Sequence, residues 1–296
     1  MSFSIITDTS ANLPTPWLKE NGVSAVPFSY FINGREHKCM DTLLFNAKKF
    51  YTAIREGTKV TTSLISPAAY EDHFRAALEK GEDILYISMS SGISGSFQAA
   101  QFAAHCLSEE FPDRRIILVD SIGASLGEGL LAMKAVEMRS AGMNVEETAA
   151  ELEQMKTSMC QVFTVDDLMH LRSTGRLSNA KAVIGSVLNI KPLLKGDGAG
   201  RIVSFAKTRG RRRSIEAVAE QYDRLVSHAE NQTVGIAHAD CMDDAEYLCG
   251  LLKRNNPPKE IITVDYEPVT GAHVGPGALA QFFFGSREFR YEKAFC

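Results

Sequence analysis

The chain has 296 residues, which is longer than most single domains, so the sequence predicts two lobes with a cleft between them. Its composition, 45% hydrophobic and 23% charged, is that of a folded globular protein and excludes the disordered and fibrous classes. With 32 basic residues against 36 acidic ones, the net charge of −4 gives no general attraction to polyanions, which argues against nucleic acid as a partner.

The start of the chain and its apolar runs bear on where the protein works. The first residues, MSFSIITDTSANLP, lack the basic segment and long apolar stretch of an export signal. No apolar run approaches the roughly 18 residues of a membrane span. We therefore expect a cytoplasmic protein with no stable membrane insertion.

Six cysteines are scattered through the chain without a CxxC pair or histidines at zinc-binding spacing. This pattern favours reduced thiols and predicts neither a metal site nor a cofactor. No GxxxxGK[ST] motif occurs, and the spacing of Gly123, Gly127 and Gly129 does not match GxGxxG, so a nucleotide site is not indicated.

The first half of the chain alternates strand-like and helix-like segments. Apolar runs at 4–10, 83–91 and 115–121 end in polar residues, as expected for a parallel sheet covered by helices. Asn33-Gly34 between strand-like residues predicts a hairpin, which we place at the edge of that sheet. Five helices are predicted, with Pro67 in the first turn of the second: 44–56, 67–80, 95–109, 125–141 and 145–157.

The second half is less regular and predicts a smaller α/β lobe. Strand candidates are CQVFTV, GRIVSFAK, TVGIAH, EIITVDY and QFFFG. A helix over 215–229 is indicated by apolar residues at i, i+3, i+4 and i+7 spacing. We place the lobe boundary near residue 158, giving lobes at 1–157 and 158–296.

Three predicted strands end in short polar side chains: Asp8 to Ser10, Ser88 to Ser94, and Asp120 with Ser121. In open α/β sheets, ligands bind outside the carboxyl ends of the strands. The alternative is that these residues cap the following helices, and this is the favoured interpretation for Asp8, Ser10 and Asp120.

The segment SSGISGSFQAA, residues 90–100, carries the clearest binding signal. Gly92 and Gly95 allow a ligand to approach the backbone where a helix begins, and Ser94 and Ser96 add hydroxyls. A carboxylate or phosphate would fit there, although an ordinary helix cap has the same composition. Thr62, within VTTSLISP, could place a further hydroxyl in the same crevice.

His273 lies in GAHVGPG, where three glycines and a proline predict a loop that presents the imidazole to a ligand. Ser94 and His273 could instead be the nucleophile and base of a serine hydrolase or acyltransferase. A GxSxG elbow would need glycine at position 96, where the chain has Ser96, and no orienting acid can be assigned.

The basic run KTRGRRRS, from Lys207 to Arg213, is the one local concentration of charge. Such runs usually form a solvated helix start, but this one could dock an acidic partner, as a regulatory binding module would. Positive charge at a helix N-terminus also opposes the helix dipole.

Six motifs, in register over nearly the whole chain, resemble the DegV family of fatty-acid-binding proteins. They are TDTSANLP, TTSLIS, SSGISGSFQAA, VDSIGASLGEG, LRSTGRLS and GAHVGPGALA. The resemblance implies an N-terminal three-layer α/β/α lobe with a parallel sheet, and a C-terminal two-layer α/β lobe with a mixed sheet. A long-chain fatty acid would lie in the cleft between them.

The resemblance also implies roles for particular residues. Thr62 and Ser94 would hydrogen-bond the carboxylate, the backbone of Gly95 and Ser96 would support it, and His273 would close the site. The protein would be a carrier without catalytic activity that presents the fatty acid to a separate fatty acid kinase. The chain departs from the family pattern at five positions: Thr9, Gly92, Ser96, Phe97 and Thr174.

Overall fold

A computed structural model describes residues 3–39, 41–179 and 189–293. The strands in this part of the chain are β1 (Phe3–Asp8), β2 (Val23–Val26), β3 (Ser29–Ile32), β4 (Arg35–Lys38), β5 (Val60–Ser63), β6 (Asp83–Ser88), β7 (Ile116–Asp120), β8 (Met159–Thr164), β9 (Ile190–Gly196), β10 (Ile202–Arg209), β11 (Thr233–His238), β12 (Glu260–Asp265) and β13 (Leu279–Phe284). The helices are α1 (Thr15–Glu20), α2 (Ala47–Arg55), α3 (Pro67–Leu78), α4 (Ser96–Glu110), α5 (Leu126–Ser140), α6 (Val145–Met155), α7 (Leu168–Ser173), α8 (Arg211–Leu225), α9 (Met242–Asn255), α10 (Pro268–Val274) and α11 (Glu288–Tyr291).

The parallel sheet has the strand order β2-β1-β6-β7 and carries helices on both faces. Alternate side chains of β6 serve the two faces: Ile84 and Tyr86 pack with α3 and α4, whereas Leu85 and Ile87 pack with α5 and α6. A strand buried on both sides explains the continuous apolar run in its sequence. The predicted three-layer α/β/α arrangement is confirmed.

The mixed sheet has the order β10-β9-β8-β13-β11-β12, in which only β11 and β12 run parallel to each other. Its outer face is covered by α8 and α9, and its inner face packs against α5. On β13, Leu279 and Phe283 belong to the outer cluster, whereas Ala280 and Phe282 belong to the inner one. The predicted mixed sheet is therefore confirmed.

Helix α5 lies between the two sheets, which explains why it has almost no polar face. Leu126, Leu130 and Leu131 are buried, and the helix contacts both β1 and β11. Its approach to the chain after β1 is so close that a Cβ at Gly129 would lie 2.5 Å from the carbonyl oxygen of Ala11. Glycine is therefore required at this position by packing.

The hairpin was predicted correctly as a turn but placed at the wrong sheet. Asn33 and Gly34 both have positive φ values, 51° and 78°, as a two-residue hairpin turn requires. However, β3 and β4 join β5 in a separate three-stranded antiparallel sheet, because the free edge of β3 pairs with β5, Tyr30 opposite Thr62. The segment from Val60 to Ser63 is thus a strand.

The five helices predicted in the first half are confirmed within three residues at each end. The helix predicted over 215–229 corresponds to α8, and its predicted bounds lie four residues too late. Helix α8 begins at Arg211 and ends at Leu225, so Val226 and Ala229 lie beyond it. All strands of the parallel sheet precede residue 121 and all strands of the mixed sheet follow residue 158. The lobe boundary between residues 157 and 158 stays a prediction.

Within the described residues, no helix is both long and apolar enough to cross a membrane. Five cysteines there have free thiols, and Cys296 lies outside the described residues. The same part of the chain holds no group of three or more His, Cys, Asp or Glu side chains placed to bind a metal ion.

Candidate functional site

A cavity of about 450 Å³ opens where the loop after β6 meets β5, α10 and the loop at 175–178. Its walls combine apolar side chains with polar ones, most of which carry hydroxyl groups. Of the charged residue types, the described lining includes only Arg176, and it includes no Asp or Glu. The apolar lining includes Phe28, Leu64, Met89, Ile93, Ile202 and Val269.

Thr62 and His273 meet in this wall. The Oγ1 atom of Thr62, on β5, lies 2.8 Å from the Nε2 atom of His273, at hydrogen-bonding distance. Burial, and then the neighbouring Arg176 and His170, lower the pKa of His273 to about 4. The imidazole is therefore neutral at pH 7, and its buried Nδ1 atom has no protein partner in the described structure.

His273 lies in the last turn of α10, so its predicted loop position was wrong. The Glu267 side chain accepts hydrogen bonds from the backbone N–H groups of Val269 and Thr270 and caps this helix, which begins with Pro268. The helix then continues through GAHV. It ends at Val274, and the next residue, Gly275, caps it with a φ of +79° that favours glycine.

Ser94 lines the cavity and is held from behind by Ser96. Ser94 Oγ donates to Ser96 Oγ at 3.0 Å and accepts from the backbone N–H of Ser96 at 3.2 Å. Ser96 is fully buried, is not part of the cavity wall and also accepts from Ile65 N. Gly95 is exposed at the wall between the two serines.

Close packing against another loop of the protein explains why position 92 is glycine. A Cβ atom there would lie 2.4 Å from the carbonyl oxygen of Ala199 and 2.8 Å from the carbonyl carbon of Gly200. The loop after β6 therefore rests directly on the turn between β9 and β10. The role predicted for Gly92 was to admit a ligand, and the structure gives the residue this second, steric role.

The capping interpretation is confirmed for Asp8 and is wrong for Ser10 and Asp120. Asp8 is buried, and its Oδ1 caps the 3₁₀ turn Thr9–Ala11 by accepting from Ser10 N at 2.8 Å, so Ser10 lies inside the turn. Asp120 accepts from the backbone N–H groups of Ser91 and Ile122, and the helix that follows it, α5, has Ser125 at its N-cap. Both carboxylates thus stabilise the polypeptide around the cavity without being part of its wall.

Ser94 and His273 line one cavity but are not arranged as a catalytic pair. In the described structure Ser94 Oγ is bonded to Ser96, and the His273 Nε2 contact is Thr62. A serine nucleophile needs its base within hydrogen-bonding reach. The geometry therefore gives the hydrolase alternative no support.

A second cavity, of about 620 Å³, lies on the other side of the Thr62–His273 contact. Thr62, Arg176 and His273 line both cavities, so they form a shared wall. The described lining of this outer cavity includes Lys59 and several hydroxyls but no Asp or Glu. Its charge balance favours anions.

The basic run is compensated by neighbouring acids. Arg211 pairs with Asp244 at 2.8 Å, and Arg213 pairs with Glu220 at 2.7 Å. These ion pairs offset the unfavourable interaction of the arginines with the N-terminus of α8. A partner-docking role for the run stays a prediction.

Sequence reasoning did not anticipate two groups. The apolar wall comes from Phe28, Met89, Ile202 and Val269, which are far apart in sequence and carry no shared motif. Glu128 is fully buried within GEGLLA. Its only signal in the sequence is a charged residue inside an otherwise apolar and glycine-rich helical run.

Comparisons with known proteins agree with the motifs. A family model described as an uncharacterised protein of the DegV family matches residues 2–286. A DegV domain-containing protein of Clostridium perfringens is 35% identical, over 96% of this chain and 97% of its own length.

Two solved structures are similar over their whole length. A DegV family protein from Thermus thermophilus, described by its fatty acid binding, has a TM-score of 0.87 at 27% identity, covering 97% of this chain and 100% of its own. A DegV family protein from Ruminococcus gnavus, refined with vaccenic acid, has a TM-score of 0.87 at 25% identity, covering 95% and 99%.

Proposed function

The chain belongs to the DegV family, and from this premise we propose that it binds a long-chain fatty acid in the cavity beside Thr62, Ser94 and His273. The observation that carries the proposal is the polar arc of Thr62, Ser94 and His273, with Thr62 and His273 2.8 Å apart, beside apolar side chains in a wall whose described lining includes no Asp or Glu. The relatives that bind fatty acids share this fold.

The cavity suits a hydrocarbon tail. Its volume of about 450 Å³ lies within the roughly 300–1,000 Å³ typical of small-molecule sites. Each methylene removed from water contributes about 0.8 kcal/mol, so the tail supplies most of the affinity. Leu64, Met89 and Val269 provide apolar surface for it.

The polar arc suits a carboxylate. The hydroxyl of Ser94 can turn towards a ligand without leaving Ser96 unsatisfied, because Ile65 N still donates to Ser96 Oγ. Thr62 and the neutral His273 supply further hydrogen-bonding groups, and Arg176 adds positive charge to the wall. A buried carboxylate requires such donors.

We further propose that the protein is a non-catalytic cytoplasmic carrier that presents its fatty acid to a separate kinase, which forms the acyl phosphate. The shared wall supports this, since a carboxylate at Thr62 and His273 borders the outer cavity as well. Lys59 and Arg176 there would interact favourably with a phosphoryl group.

Two measurements test the binding proposal. Protein produced in bacteria is extracted with organic solvent, and the extract is analysed by mass spectrometry; a long-chain fatty acid is expected. Delipidated protein is then titrated with a fluorescent fatty acid. Thr62→Val should weaken binding about tenfold, the loss of roughly 1.4 kcal/mol typical of one hydrogen bond to a charged group.

Thr61→Val is the matched control, since Thr61 neighbours Thr62 on β5 but does not line the cavity of about 450 Å³ in which we place the fatty acid. It should bind as tightly as the wild type. An extract that holds only polar compounds would refute fatty acid binding. Equal affinity of Thr62→Val and the wild type would remove Thr62 from the head-group site.

A further inference from the structure

Two buried carboxyl groups lie close together behind the cavity. Asp8, at the end of β1, and Glu128, on α5, have no exposed surface. Ser10 Oγ lies between them, 2.5 Å from Asp8 Oδ1 and 2.6 Å from Glu128 Oε2. No ion pair joins either acid to a Lys, Arg or His among the described residues.

A count of the available hydrogen atoms shows that one of the two carboxyl groups is protonated. The Ser10 hydroxyl has a single hydrogen, so it can donate to only one of the two carboxyls. At 2.6 Å, the second contact also requires a hydrogen, which must come from the carboxyl itself. Burial raises the pKa of both Asp8 and Glu128, in agreement with one neutral acid.

The surroundings of Asp8 identify it as the ionised member. Its Oδ1 accepts from Ser10 N at 2.8 Å, and its Oδ2 accepts from Met89 N at 3.1 Å and from the Tyr86 hydroxyl at 3.2 Å. Each of these groups delivers a hydrogen to Asp8. A proton on this carboxyl would meet a donor at either oxygen.

The hydrogen-bonding partners of Glu128 are compatible with a protonated carboxyl group. Its Oε1 accepts from Thr7 Oγ1 at 2.6 Å, whereas Oε2 contacts Ser10 Oγ. With the proton on Oε2, Glu128 donates to Ser10, and Ser10 donates to Asp8. Every hydrogen-bonding group of the cluster is then satisfied.

A line of hydroxyls connects Asp8 to the cavity. Tyr86 donates to Asp8, so the Tyr70 hydroxyl, 2.8 Å away, must be the donor to Tyr86. Burial raises the pKa of the Tyr70 hydroxyl, and the neighbouring Ser96 side chain lowers it, as a hydrogen-bond donor would. Ser96 Oγ in turn accepts from Ser94 Oγ. Ser94 stands in the cavity wall.

We infer that a directed chain of hydrogen bonds joins the head-group serine to a buried acid pair in which Glu128 is protonated and Asp8 is ionised. Its members, in order, are Ser94, Ser96, Tyr70, Tyr86, Asp8, Ser10 and Glu128. The charge of Asp8 orients the hydroxyls between it and Ser94. Asp8 and Glu128 are therefore positioning residues, and Asp8 also holds Met89 in the cavity wall.

The other titratable groups near the pair do not offset its charge. They are Tyr86 on β6, Tyr70 on α3 and Glu267 at the start of α10, and burial raises the pKa of each. None supplies a positive charge. Loss of the Glu128 proton would therefore bring a second uncompensated negative charge into the protein interior.

The sign of the pH dependence follows. The pKa of Glu128 is higher in the folded protein than the value of about 4.3 expected in the unfolded chain. Its contribution to stability is complete below about pH 4.3 and is lost as the pH rises to the folded pKa.

Glu128→Gln tests the location of the proton. The amide N–H can replace the proton given to Ser10, and the amide oxygen can still accept from Thr7. This variant should fold, and its unfolding constant relative to that of the wild type should fall about tenfold per pH unit above pH 5. Asp8→Asn should be unstable throughout, because its amide hydrogens would face other donors.

The two variants can contradict the assignment. Failure of Glu128→Gln to fold would overturn it, whatever Asp8→Asn does, and so would parallel pH profiles for Glu128→Gln and the wild type. Infrared spectroscopy of ligand-free protein gives a direct check. At pH 7 the protonated-carboxyl band should be weaker in Glu128→Gln than in the wild type, and Glu267, whose pKa burial raises to about 7, can account for what remains; an unchanged band excludes Glu128.

The link to Ser94 rests on the proposed function and has its own test. Tyr86→Phe cuts the chain and should weaken fluorescent fatty acid binding several-fold. Tyr222→Phe, which removes another buried hydroxyl bonded to Asn256 O, should not. Unchanged affinity in Tyr86→Phe would refute the link. Absence of fatty acid binding in the wild type would refute the proposed function, while the infrared and folding results would still decide the proton assignment.

Discussion

Thr62 Oγ1 lies 2.8 Å from His273 Nε2, and this contact joins a strand of the small antiparallel sheet to the last turn of α10. The two residues are 211 positions apart in the sequence. Together with Arg176 they line both cavities. A head group at this contact would border the cavity that holds Leu64, Met89 and Val269 on one side and the cavity that holds Lys59 on the other.

His273 makes stability depend on pH in acid. Its pKa is lowered to about 4 in the folded protein, against about 6.5 in the unfolded chain. The stability it contributes is complete above about pH 6.5 and is lost as the pH falls to 4, at up to about 1.4 kcal/mol per unit. Urea unfolding of ligand-free protein at pH 6.5 and pH 4.5 measures this difference.

His273→Asn should reduce the difference between the free energies of unfolding at pH 6.5 and pH 4.5, because it removes the group that titrates. His105→Asn, at an exposed position on α4, is the matched control and should keep the wild-type difference. If the free energy of unfolding of His273→Asn differed between the two pH values as much as that of the wild type, another group would be responsible for the pH dependence.

Lys59 should matter for phosphoryl transfer without affecting tail binding, since it lines only the outer of the two cavities that meet at His273. When a fatty acid kinase and a nucleoside triphosphate are supplied, the kinase should form acyl phosphate about tenfold more slowly on the Lys59→Ala variant than on the wild type. This corresponds to a rise of about 1.4 kcal/mol in the activation free energy. The dissociation constant for fatty acid should not change.

Lys48→Ala, on the exposed face of α2, is the control for the removed charge. Equal acyl phosphate formation by the Lys59→Ala variant and the wild type would exclude Lys59 from the phosphoryl-accepting side.

Gly92 and Gly250 should respond to alanine in opposite directions. At Gly92 the new Cβ would lie 2.4 Å from the Ala199 carbonyl oxygen, so Gly92→Ala should destabilise the protein by about 2–3 kcal/mol. Gly250 lies inside α9 with nothing near its Cβ position, so Gly250→Ala should stabilise the protein by roughly 0.5–1 kcal/mol. Denaturant unfolding of both variants measures the contrast, and similar stabilities would contradict the close packing at Gly92.

Ser94 should be unreactive as a nucleophile. A fluorophosphonate probe is expected to leave it unlabelled, because its hydroxyl is bonded to Ser96 and has no base. Mass spectrometry of the probe-treated protein checks this. Covalent labelling at Ser94, together with hydrolysis of model esters, would restore the hydrolase alternative.

The regular parts of the fold could be predicted because their signals are local. The helix predicted over 67–80 has Ser66 as its cap and Pro67 at its first turn, and α3 follows this pattern. The helix predicted from 145 begins after Asn144, which forms a capping box with Glu147. Side-chain caps and apolar periodicity can both be read from neighbouring residues.

The rest could not be predicted because it depends on distant contacts. The glycines of GAHVGPG favour a loop, and the structure is helical there because Glu267 and Pro268, upstream, start α10. Glu128 faces β1 and the turn after it, where Thr7 and Ser10 contact its carboxyl group. These partners lie 121 and 118 positions away in the sequence, so a local pattern does not report its burial.

The position of α5 between the two sheets means that neither half of the molecule is complete alone. A fragment ending at residue 157 would turn the face of α5 that packs on β8, β11 and β13 towards water, at about 1.5–3 kcal/mol for each large apolar side chain uncovered. Separating the two sheets from each other would expose the same apolar side chains to water and carry the same free-energy cost. The protein is therefore expected to unfold in one cooperative transition, with both sheets lost together.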